Sequence, residues 1–341
     1  MNKKVVTFGE IMLRLSPPNY QRLIQTDSFD VVYGGGEANV SVSLSNFGLD
    51  SYYVSKFPHN PIGDAALNHL RRFGVKTDYI VRGGDRIGIY FLEIGASQRP
   101  SKVIYDRAHS AIAEAKVGDF DWDEIFKDTQ WFHFTGITPA LSDTAAALTL
   151  EALRKAKQNK VKVSCDLNYR GKLWSPEKAN KVMSQFMKYV DIILGNEEDA
   201  EKIFSIKAPE SDISTGQLNK ESYKFVAQEL IRRFNFELVT ITLRESYSAS
   251  DNGWSAIAYD GEKLYSSNKY KIHIIDRVGG GDAFAGGLIY SLINGNQLQG
   301  ALDFAVAASC LKHTIPGDFN LVSEEEVKSL QKGNVSGRVQ R

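Results

Sequence analysis

Short apolar segments with the character of β-strands alternate with amphipathic helical segments along most of this chain. The helical period is clearest at 37–47, where Val40, Leu44 and Phe47 recur at spacings of four and three residues. Such alternation is typical of a mostly parallel sheet with helices on both faces. We therefore predict an α/β fold with strands at 5–9, 131–135, 161–167, 191–194 and 238–243, and with further helices at 143–157, 176–188, 197–204, 221–234, 283–293 and 298–311.

Two segments near the N-terminus interrupt this alternation. Residues 12–33 and 86–107 contain extended runs of alternating polarity without a helical period, which predicts antiparallel strands outside the main sheet. We expect the two segments to pair into a small β-lid on a single α/β domain of residues 1–331, although two unrelated surface loops would fit the same pattern. The last residues, 332–341, are predicted to be a flexible tail.

The charge balance and the cysteines exclude several classes of function. The 341 residues include 41 basic and 41 acidic side chains, so a nucleic-acid-binding surface is not expected. No run approaches the ~18 apolar residues of a membrane span, and no signal-peptide pattern opens the chain. Cys165 and Cys310 lie in apolar stretches outside any CxxC pair, which indicates buried reduced thiols in a cytoplasmic protein.

The strongest candidate for a chemical site is the segment DRVGGGDAF at 276–284, which follows a predicted strand and opens a predicted helix. Three consecutive glycines at such a turn let backbone N–H groups converge on an anion, and the helix N-terminus adds partial positive charge. Asp282, predicted at the first position of the helix, has two interpretations. It is either a general base toward an attacking hydroxyl or an ordinary N-cap, and the segment alone does not separate them.

A second glycine-rich segment, GGGEAN at 34–39, precedes the helix predicted at 37–47. Glycine permits the close approach of a polar ligand, and Asn39 offers both a donor and an acceptor. A flexible turn before a helix would explain the segment equally well. The sequence contains no P-loop, no dinucleotide-binding glycine motif after the first strand, and no HRD or DFG triplet of protein kinases.

Together the two segments resemble the two motifs of the ribokinase-type (PfkB) carbohydrate kinases, in the same order and at a similar separation. The resemblance covers about residues 4–330 and implies a ribokinase-like fold that uses ATP and Mg²⁺, while it leaves open whether a monovalent cation is needed. It implies that the first motif holds the sugar and the second the transferred phosphate. The residues so implied are Gly35, Gly36 and Asn39 for the sugar, Gly279, Gly280 and Gly281 for the anion hole, and Asp282 for the catalytic base.

The resemblance also implies a nucleotide side of the site, where the chain departs from the usual pattern of the family. Asn196 and Asp199 stand where the family has Asn-x-x-Glu, which organises Mg²⁺ and phosphate, usually through water. Gly280 replaces the usual alanine, and Arg244 replaces the glycine of a Thr-Leu-Gly segment. The implied nucleotide contacts are Asn196, Thr242, Arg244, Gly279 and Gly281, and the implied metal contacts are Asn196 and Asp199.

Within the family the chain is most similar to the 2-keto-3-deoxygluconate kinases. This similarity rests on YDR at 105–107, on DLNYR at 166–170 followed by Leu173 and Trp174, and on PGD at 316–318. A sugar acid carries a carboxylate that the planar fork of arginine binds well, so Arg107 and Arg170 are its expected partners, although each alone would also fit a surface ion pair. The similarity further implies a sugar site that includes Tyr90, Tyr105, Ile137 and Asp318, the last against a distal hydroxyl or ketone.

These observations predict a kinase that transfers the γ-phosphate of ATP to the 6-hydroxyl of 2-keto-3-deoxygluconate. The first alternative is another sugar kinase of the same fold, such as a fructokinase or a 5-dehydro-2-deoxygluconokinase. A non-catalytic sugar sensor is a weaker alternative, because a sensor has no need of Asp282. We also expect a homodimer, or a higher assembly, through the β-lid, because its apolar face would contain residues such as Ile89 and Phe91.

Overall fold

A computed structural model of the protein describes residues 3–196, 198–209 and 220–334. Its strands are β1 (Lys4–Phe8), β2 (Met12–Ser16), β3 (Asp30–Gly34), β4 (Asp50–Phe57), β5 (Ile80–Arg82), β6 (Gly88–Glu93), β7 (Lys102–Asp106), β8 (Thr129–Thr135), β9 (Lys162–Asp166), β10 (Ile192–Asn196), β11 (Leu238–Ser246), β12 (Asp251–Tyr259), β13 (Leu264–Ser266) and β14 (Tyr270–His273). Its α-helices are α1 (Gly36–Asn46), α2 (Pro61–Arg72), α3 (Trp122–Phe126), α4 (Asp143–Gln158), α5 (Pro176–Phe186), α6 (Asp199–Phe204), α7 (Lys220–Phe234), α8 (Gly280–Ile293), α9 (Leu298–Lys312) and α10 (Glu324–Gln331).

The main sheet has the order β13-β12-β11-β10-β9-β8-β1-β4-β5, and β14 pairs with β12. Every neighbouring pair from β5 to β11 is parallel, and β12, β13 and β14 join antiparallel. The mostly parallel sheet predicted from the sequence is confirmed. The carboxyl ends of its parallel strands lie at one edge, which is where α/β proteins bind their ligands.

Helices cover both faces of this sheet, as the alternation of elements predicts. On one face α1, α8 and α9 pack against Val5 and Leu194, and on the other α4, α5 and α7 pack against Val6 and Ile193. Successive side chains of a strand point to opposite faces. A strand that is covered on both faces therefore reads as a continuous apolar run, and such runs made these strands recognisable in the sequence.

A second sheet of four strands has the order β3-β2-β6-β7. It unites the two segments that interrupt the alternation, because β2 pairs with β6, so the alternative of two unrelated loops is wrong. This central pair is parallel, whereas the two outer pairs are antiparallel as predicted. Its register aligns Arg14 with Tyr90 and Tyr90 with Tyr105, which places three polar side chains on one face of the sheet.

The structure differs from the sequence prediction at several places. The run β4, α2 and β5 was not predicted, because β4 mixes serine, lysine and tyrosine with only one aliphatic residue. The strand predicted at 238–243 continues to Ser246 and returns as β12. The polar stretch 244–254 is therefore part of an antiparallel hairpin.

The helix predicted at 197–204 begins at Asp199. Residue 197 and residues 335–341 of the predicted tail lie outside the described residues.

Two smaller predictions concern the cysteines and the membrane. Cys165 and Cys310 are both buried and free, as predicted, and burial raises the pKa of the Cys310 thiol to about 12. Within the described parts of the chain, no helix has the length and apolar character that crossing a membrane would require.

Candidate active site

A cleft of about 390 Å³ lies between the carboxyl ends of the main-sheet strands and the second sheet. Its wall contains Asp166 and Asn196 from strand ends, Thr242 from the neighbouring position on β11, and Tyr90 and Tyr105 from the second sheet. The cleft brings together every residue that the sequence suggested for a site, namely Gly35, Gly36, Asn39, Tyr90, Tyr105, Arg107, Ile137, Arg170, Asn196, Asp199, Thr242, Arg244, Gly279, Gly280, Gly281, Asp282 and Asp318.

The glycine turn forms the N-terminus of α8. Gly279 is the N-cap and has a φ of 81°, in the left-handed region that favours glycine. The first N–H groups of a helix have no carbonyl partner within it, so those at the start of α8 are free to face an anion. A Cβ atom built on Gly281 would meet no atom within 4 Å. The turn is therefore open to the cleft at this residue.

Gly280 is glycine for a local reason. A Cβ atom at this position would lie 2.4 Å from Cε1 and 2.6 Å from Nε2 of His313. His313 is buried in this place, with its ring 5.0 Å from the ring of Trp254 and its Nδ1 paired with the Ser309 carbonyl. The alanine usual in the family would collide with this imidazole, which explains the departure.

Asp282 is the third residue of α8, not the first as predicted from the sequence. Gly279 is the N-cap, and the Asp282 carboxylate accepts a 2.6 Å hydrogen bond from Nδ2 of Asn39, so the N-cap interpretation is wrong. Burial raises the pKa of Asp282 to about 7, and the hydrogen bond from Asn39 limits the rise. A carboxyl group with such a pKa can exchange a proton with a ligand near neutral pH.

The first glycine motif determines where Asn39 points. Oδ1 of Asn39 accepts a hydrogen bond from the N–H of Gly35 at 3.2 Å, which leaves Nδ2 directed at Asp282. A Cβ atom on Gly35 would lie 1.9 Å from the carbonyl oxygen of Glu10, and one on Gly36 would lie 3.6 Å from Oδ1 of Asp282. Glycine at position 35 therefore lets the backbone pass directly against the Glu10 carbonyl, whereas a Cβ atom at position 36 would make only an ordinary van der Waals contact with Asp282.

The two predicted arginines have different surroundings. Arg107 is 9% exposed and pairs with the buried carboxylate of Glu10 through Nε and Nη2, so the surface ion pair is wrong for it. Arg170 is partly buried and donates from Nη1 to the carbonyl of Tyr169 at 3.0 Å. Burial raises the pKa of Asp282 and of Asp199, and the charge of Arg170 offsets a small part of each rise. Both arginines line the cleft.

Asp318 is bonded within the protein. Its carboxylate accepts 2.7 Å and 2.6 Å hydrogen bonds from Nη1 of Arg14 and the hydroxyl of Tyr90. A second nitrogen of Arg14 donates to Asp276, at 2.6 Å. Arg14 was not among the predicted site residues, and its only signal in the sequence is a basic residue within the mostly apolar strand MLRLS. Asp318 therefore orients the Tyr90 hydroxyl. The bonds of Arg14 to Asp318 and Asp276 join the second sheet to the segment that begins at Asp276.

The nucleotide-side residues form a compact turn at the end of β10. The Asp199 carboxylate accepts hydrogen bonds from the N–H groups of Tyr169 and Asn196, at 3.0 and 2.9 Å. Oδ1 of Asn196 accepts from the N–H of Glu198 at 2.8 Å. Asp199 therefore joins the loop that follows β9 to the end of β10. On the next strand the Arg244 guanidinium lies 5.1 Å from the ring centre of Trp254.

Asp166 and Asn168 also line the cleft and were not assigned by the sequence analysis. Burial raises the pKa of Asp166 well above its usual range, and the charges of Asp199 and Asp282 raise it further. The signal was available, because both residues belong to the DLNYR segment from which only Arg170 was chosen. Among the described residues no group of three or more His, Cys, Asp or Glu side chains could hold a metal ion.

Comparison with known proteins settles the family. The sequence profile described as pfkB family carbohydrate kinase matches residues 2–323. The chain belongs to the pfkB family of carbohydrate kinases. This match confirms the family resemblance of the two glycine motifs, and a TM-score of 0.79 to the solved structure of a putative ribokinase II from E. coli confirms the ribokinase-like fold.

Several members of this family are similar over nearly the whole chain. The crystal structure of 2-dehydro-3-deoxygluconokinase from Thermotoga maritima is 58% identical and has a TM-score of 0.94, with 97% of this chain and 100% of that one covered. The 2-dehydro-3-deoxygalactonokinase of Haloferax volcanii is 34% identical, with 99% of each chain covered. The 5-dehydro-2-deoxygluconokinase of Clostridium perfringens is 26% identical over 90% of this chain and 86% of its own.

Proposed function

We propose that this pfkB family kinase transfers the γ-phosphate of ATP to the 6-hydroxyl of 2-keto-3-deoxygluconate, which is the same compound as 2-dehydro-3-deoxygluconate. The observation that carries the proposal is the position of Asp282. This carboxyl group, with a pKa raised to about 7, lies three residues after the N-cap of α8, in a cleft that also contains Arg107 and Arg170. The 58% identity to the kinase of Thermotoga maritima supports the same substrate.

In this reaction Asp282 takes the proton of the sugar hydroxyl while the oxygen of that hydroxyl forms a bond to the γ-phosphorus. The bond between the γ-phosphorus and the bridging oxygen breaks, and ADP leaves. Negative charge on the transferred group is stabilised by the N–H groups at Gly279, Gly280 and Gly281 and by the N-terminus of α8. General-base assistance of this kind typically supplies about 10²–10⁴-fold in rate.

The sugar acid would lie between the first glycine motif and the second sheet. Gly35, Gly36 and Asn39 would contact its hydroxyl groups, and Tyr90, Tyr105 and Ile137 would enclose it. Arg107 and Arg170 would bind the carboxylate through N–H groups other than those that already bond Glu10 and the Tyr169 carbonyl. Such charge-assisted hydrogen bonds would recognise the one group that distinguishes an acid from a neutral sugar. Asp318 would act mainly by orienting the Tyr90 hydroxyl, to which it is already bonded.

ATP would lie on the side of Asn196, Thr242 and Arg244, with its phosphates directed at Gly279 and Gly281. The charges of Asp199 and Asp282 both act on Asp166, and oxygen ligands of this kind suit Mg²⁺. Because the described residues include no metal-binding group of three such side chains, the phosphates of ATP would supply much of the coordination of the ion. Both oxygens of Asp199 already accept backbone N–H groups, so this residue and Asn196 fit a cation that is bound through water and phosphate. Mg²⁺ would neutralise charge on the phosphates during transfer.

The test is ADP release by the purified protein with a panel of sugars. We expect 2-keto-3-deoxygluconate to have the highest kcat/KM, above its 4-epimer 2-keto-3-deoxygalactonate, 5-dehydro-2-deoxygluconate and fructose. The epimer is the second candidate because the Haloferax volcanii relative is a 2-dehydro-3-deoxygalactonokinase. A preference for fructose would refute the acid substrate, and binding of sugar without ADP release would favour the sensor.

We also propose a homodimer that forms through the outer face of the second sheet. The register aligns Val31, Leu15, Phe91 and Ile104 across its four strands. Val31 and Ile104 are 59% and 54% exposed. An apolar row of this kind on an open sheet is a typical contact surface for a second copy of the chain.

A further inference from the structure

Lys312 is a fully buried lysine directly behind the glycine turn. It is the last residue of α9, and its side chain is 0% exposed. Lysine is almost never buried to this degree without partners. The partners of its Nζ atom are three backbone carbonyl oxygens, those of Gly317 at 2.6 Å, Ile315 at 3.2 Å and Asp276 at 3.4 Å.

These carbonyls belong to the two segments that support the turn. Asp276 begins the DRVGGGD segment, and Gly317 precedes Asp318. A Cβ atom on Gly279 would lie 1.9 Å from the carbonyl oxygen of Asp318 and 3.3 Å from Cε of Lys312. The lysine side chain therefore packs against the first glycine of the turn while its ammonium group binds the segments on either side of it.

The charges around Lys312 are balanced. Asp276 and Asp318 form ion pairs with Arg14 at 2.6 and 2.7 Å, and both carboxylates also favour the charged form of Lys312, partly offsetting the burial that lowers its pKa. Arg14 and Lys312 thus balance Asp276 and Asp318 in this buried region, and Asp282 is a third carboxylate that favours the charged form of Lys312. Removing the ammonium charge would leave the region with a net negative charge beside the site that has to bind phosphate.

We infer that Lys312 is a built-in cation that positions the anion-binding turn, so that the enzyme transfers phosphate without an added monovalent cation. Carbonyl oxygens that converge on one point are the ligands that K⁺ takes in proteins, and here an ammonium group occupies that point. Lys312 acts through the backbone of the turn and does not line the cleft, so it is a positioning residue.

The first experiment needs no variant. ADP release by the wild-type protein is measured with Mg²⁺ and the Tris salt of ATP, in tetramethylammonium chloride and in KCl of equal ionic strength, with whichever sugar the enzyme uses best. We expect kcat to be the same within about twofold. A kcat that rises saturably with K⁺ in the wild type would overturn the inference, whatever the behaviour of any variant.

The second experiment uses two variants that differ in the space they leave. Lys312→Ala opens a cavity beside the three carbonyls, and Lys312→Met fills it without charge. We expect kcat to fall about 10–100-fold in both, because a small misplacement of catalytic groups has effects of this size. K⁺ or NH₄⁺ should restore kcat and raise the Tm of Lys312→Ala, and should do neither for Lys312→Met.

Lys4→Met is the matched control. Lys4 is 6% exposed and bonds Tyr79 and the Lys127 carbonyl at the far end of β1, so its loss should change stability without changing kcat or the response to K⁺. Normal kcat in Lys312→Met would also overturn the inference. If the wild type phosphorylates no sugar, the proposed function fails, but the cation-dependent Tm of Lys312→Ala still tests the role of Lys312.

Discussion

The side-chain amide of Asn39 donates a 2.6 Å hydrogen bond to the carboxylate of Asp282, across a separation of 243 residues in sequence. The bond joins the two glycine motifs at one pair of atoms. It also opposes the burial that raises the pKa of Asp282. The residue proposed to contact the sugar therefore also adjusts the acidity of the proposed base.

Replacing Asp282 by Asn should remove turnover and leave the fold intact. We expect kcat to fall by about 10²–10⁴-fold, with ATP binding retained because asparagine has the same shape. Steady-state kinetics and calorimetric titration with ATP would measure the two effects. Asn196→Ala, on the nucleotide side, is the contrasting variant and should weaken ATP binding. Normal kcat in Asp282→Asn would exclude the base assignment.

Asp282→Asn should also raise the free energy of unfolding at alkaline pH. The pKa of Asp282 is about 7 in the folded protein and about 4 in an unfolded chain, so between these values the unfolded state loses its proton first. Stability contributed by the protonated carboxyl is therefore lost as pH rises toward 7. We expect Asp282→Asn to exceed the wild type by about 1–4 kcal/mol at pH 8 and by much less at pH 5, as measured by urea unfolding.

The hydrogen bond from Asn39 can be tested by the pH dependence of kcat/KM. The acid limb of the wild type should have a pKa near 7, the value for Asp282. Since the bond lowers this pKa, Asn39→Ala should move the limb to higher pH by up to about one unit. Tyr105→Phe alters the sugar site without removing this bond and should leave the limb in place. An unmoved limb in Asn39→Ala would mean that another group titrates.

The contact between Gly280 and His313 predicts a pair of opposite effects. Gly280→Ala should lower the free energy of unfolding by about 1–3 kcal/mol through overpacking, and His313→Ala in the same chain should recover part of it. Gly281→Ala meets open space, so it should leave stability unchanged and reduce kcat by obstructing phosphate. If Gly280→Ala and Gly281→Ala have the same free energy of unfolding, residue 280 does not collide with His313.

Much of this site was predictable because its parts are encoded locally. Three glycines before an apolar helix indicate an anion-binding turn without any knowledge of the remainder of the chain. Arg14 and Glu10 were not predictable in this way, because each is recognised only by a partner far along the chain. Arg14 is hydrogen-bonded to Asp318, and Glu10 is hydrogen-bonded to Arg107. The same limit applies to Gly280, since only the fold shows that His313 fills the space beside it.

The proposed dimer depends on two exposed aliphatic side chains of the second sheet. Val31→Lys or Ile104→Lys would place a charge in the apolar row, so each should convert a dimer to a monomer at micromolar concentration, as measured by light scattering. Val117 is 61% exposed but lies outside this sheet, and Val117→Lys should remain dimeric. A monomeric wild type would refute the dimer and leave the kinase proposal unaffected.

The last prediction concerns the charge of the substrate. Removal of Arg170 should reduce kcat/KM for 2-keto-3-deoxygluconate by about one to two orders of magnitude, mostly through KM, because a hydrogen bond to a charged group contributes roughly 1.5–3 kcal/mol. Fructose has no carboxylate and should lose much less. Arg107→Ala would also leave the buried carboxylate of Glu10 without its partner. Arg107 is therefore tested in the double variant Arg107→Ala, Glu10→Gln. Lysine at either position should restore only part of the preference, because it lacks the planar fork. If the ratio of the two kcat/KM values stays at its wild-type level in both variants, the arginines do not bind the carboxylate.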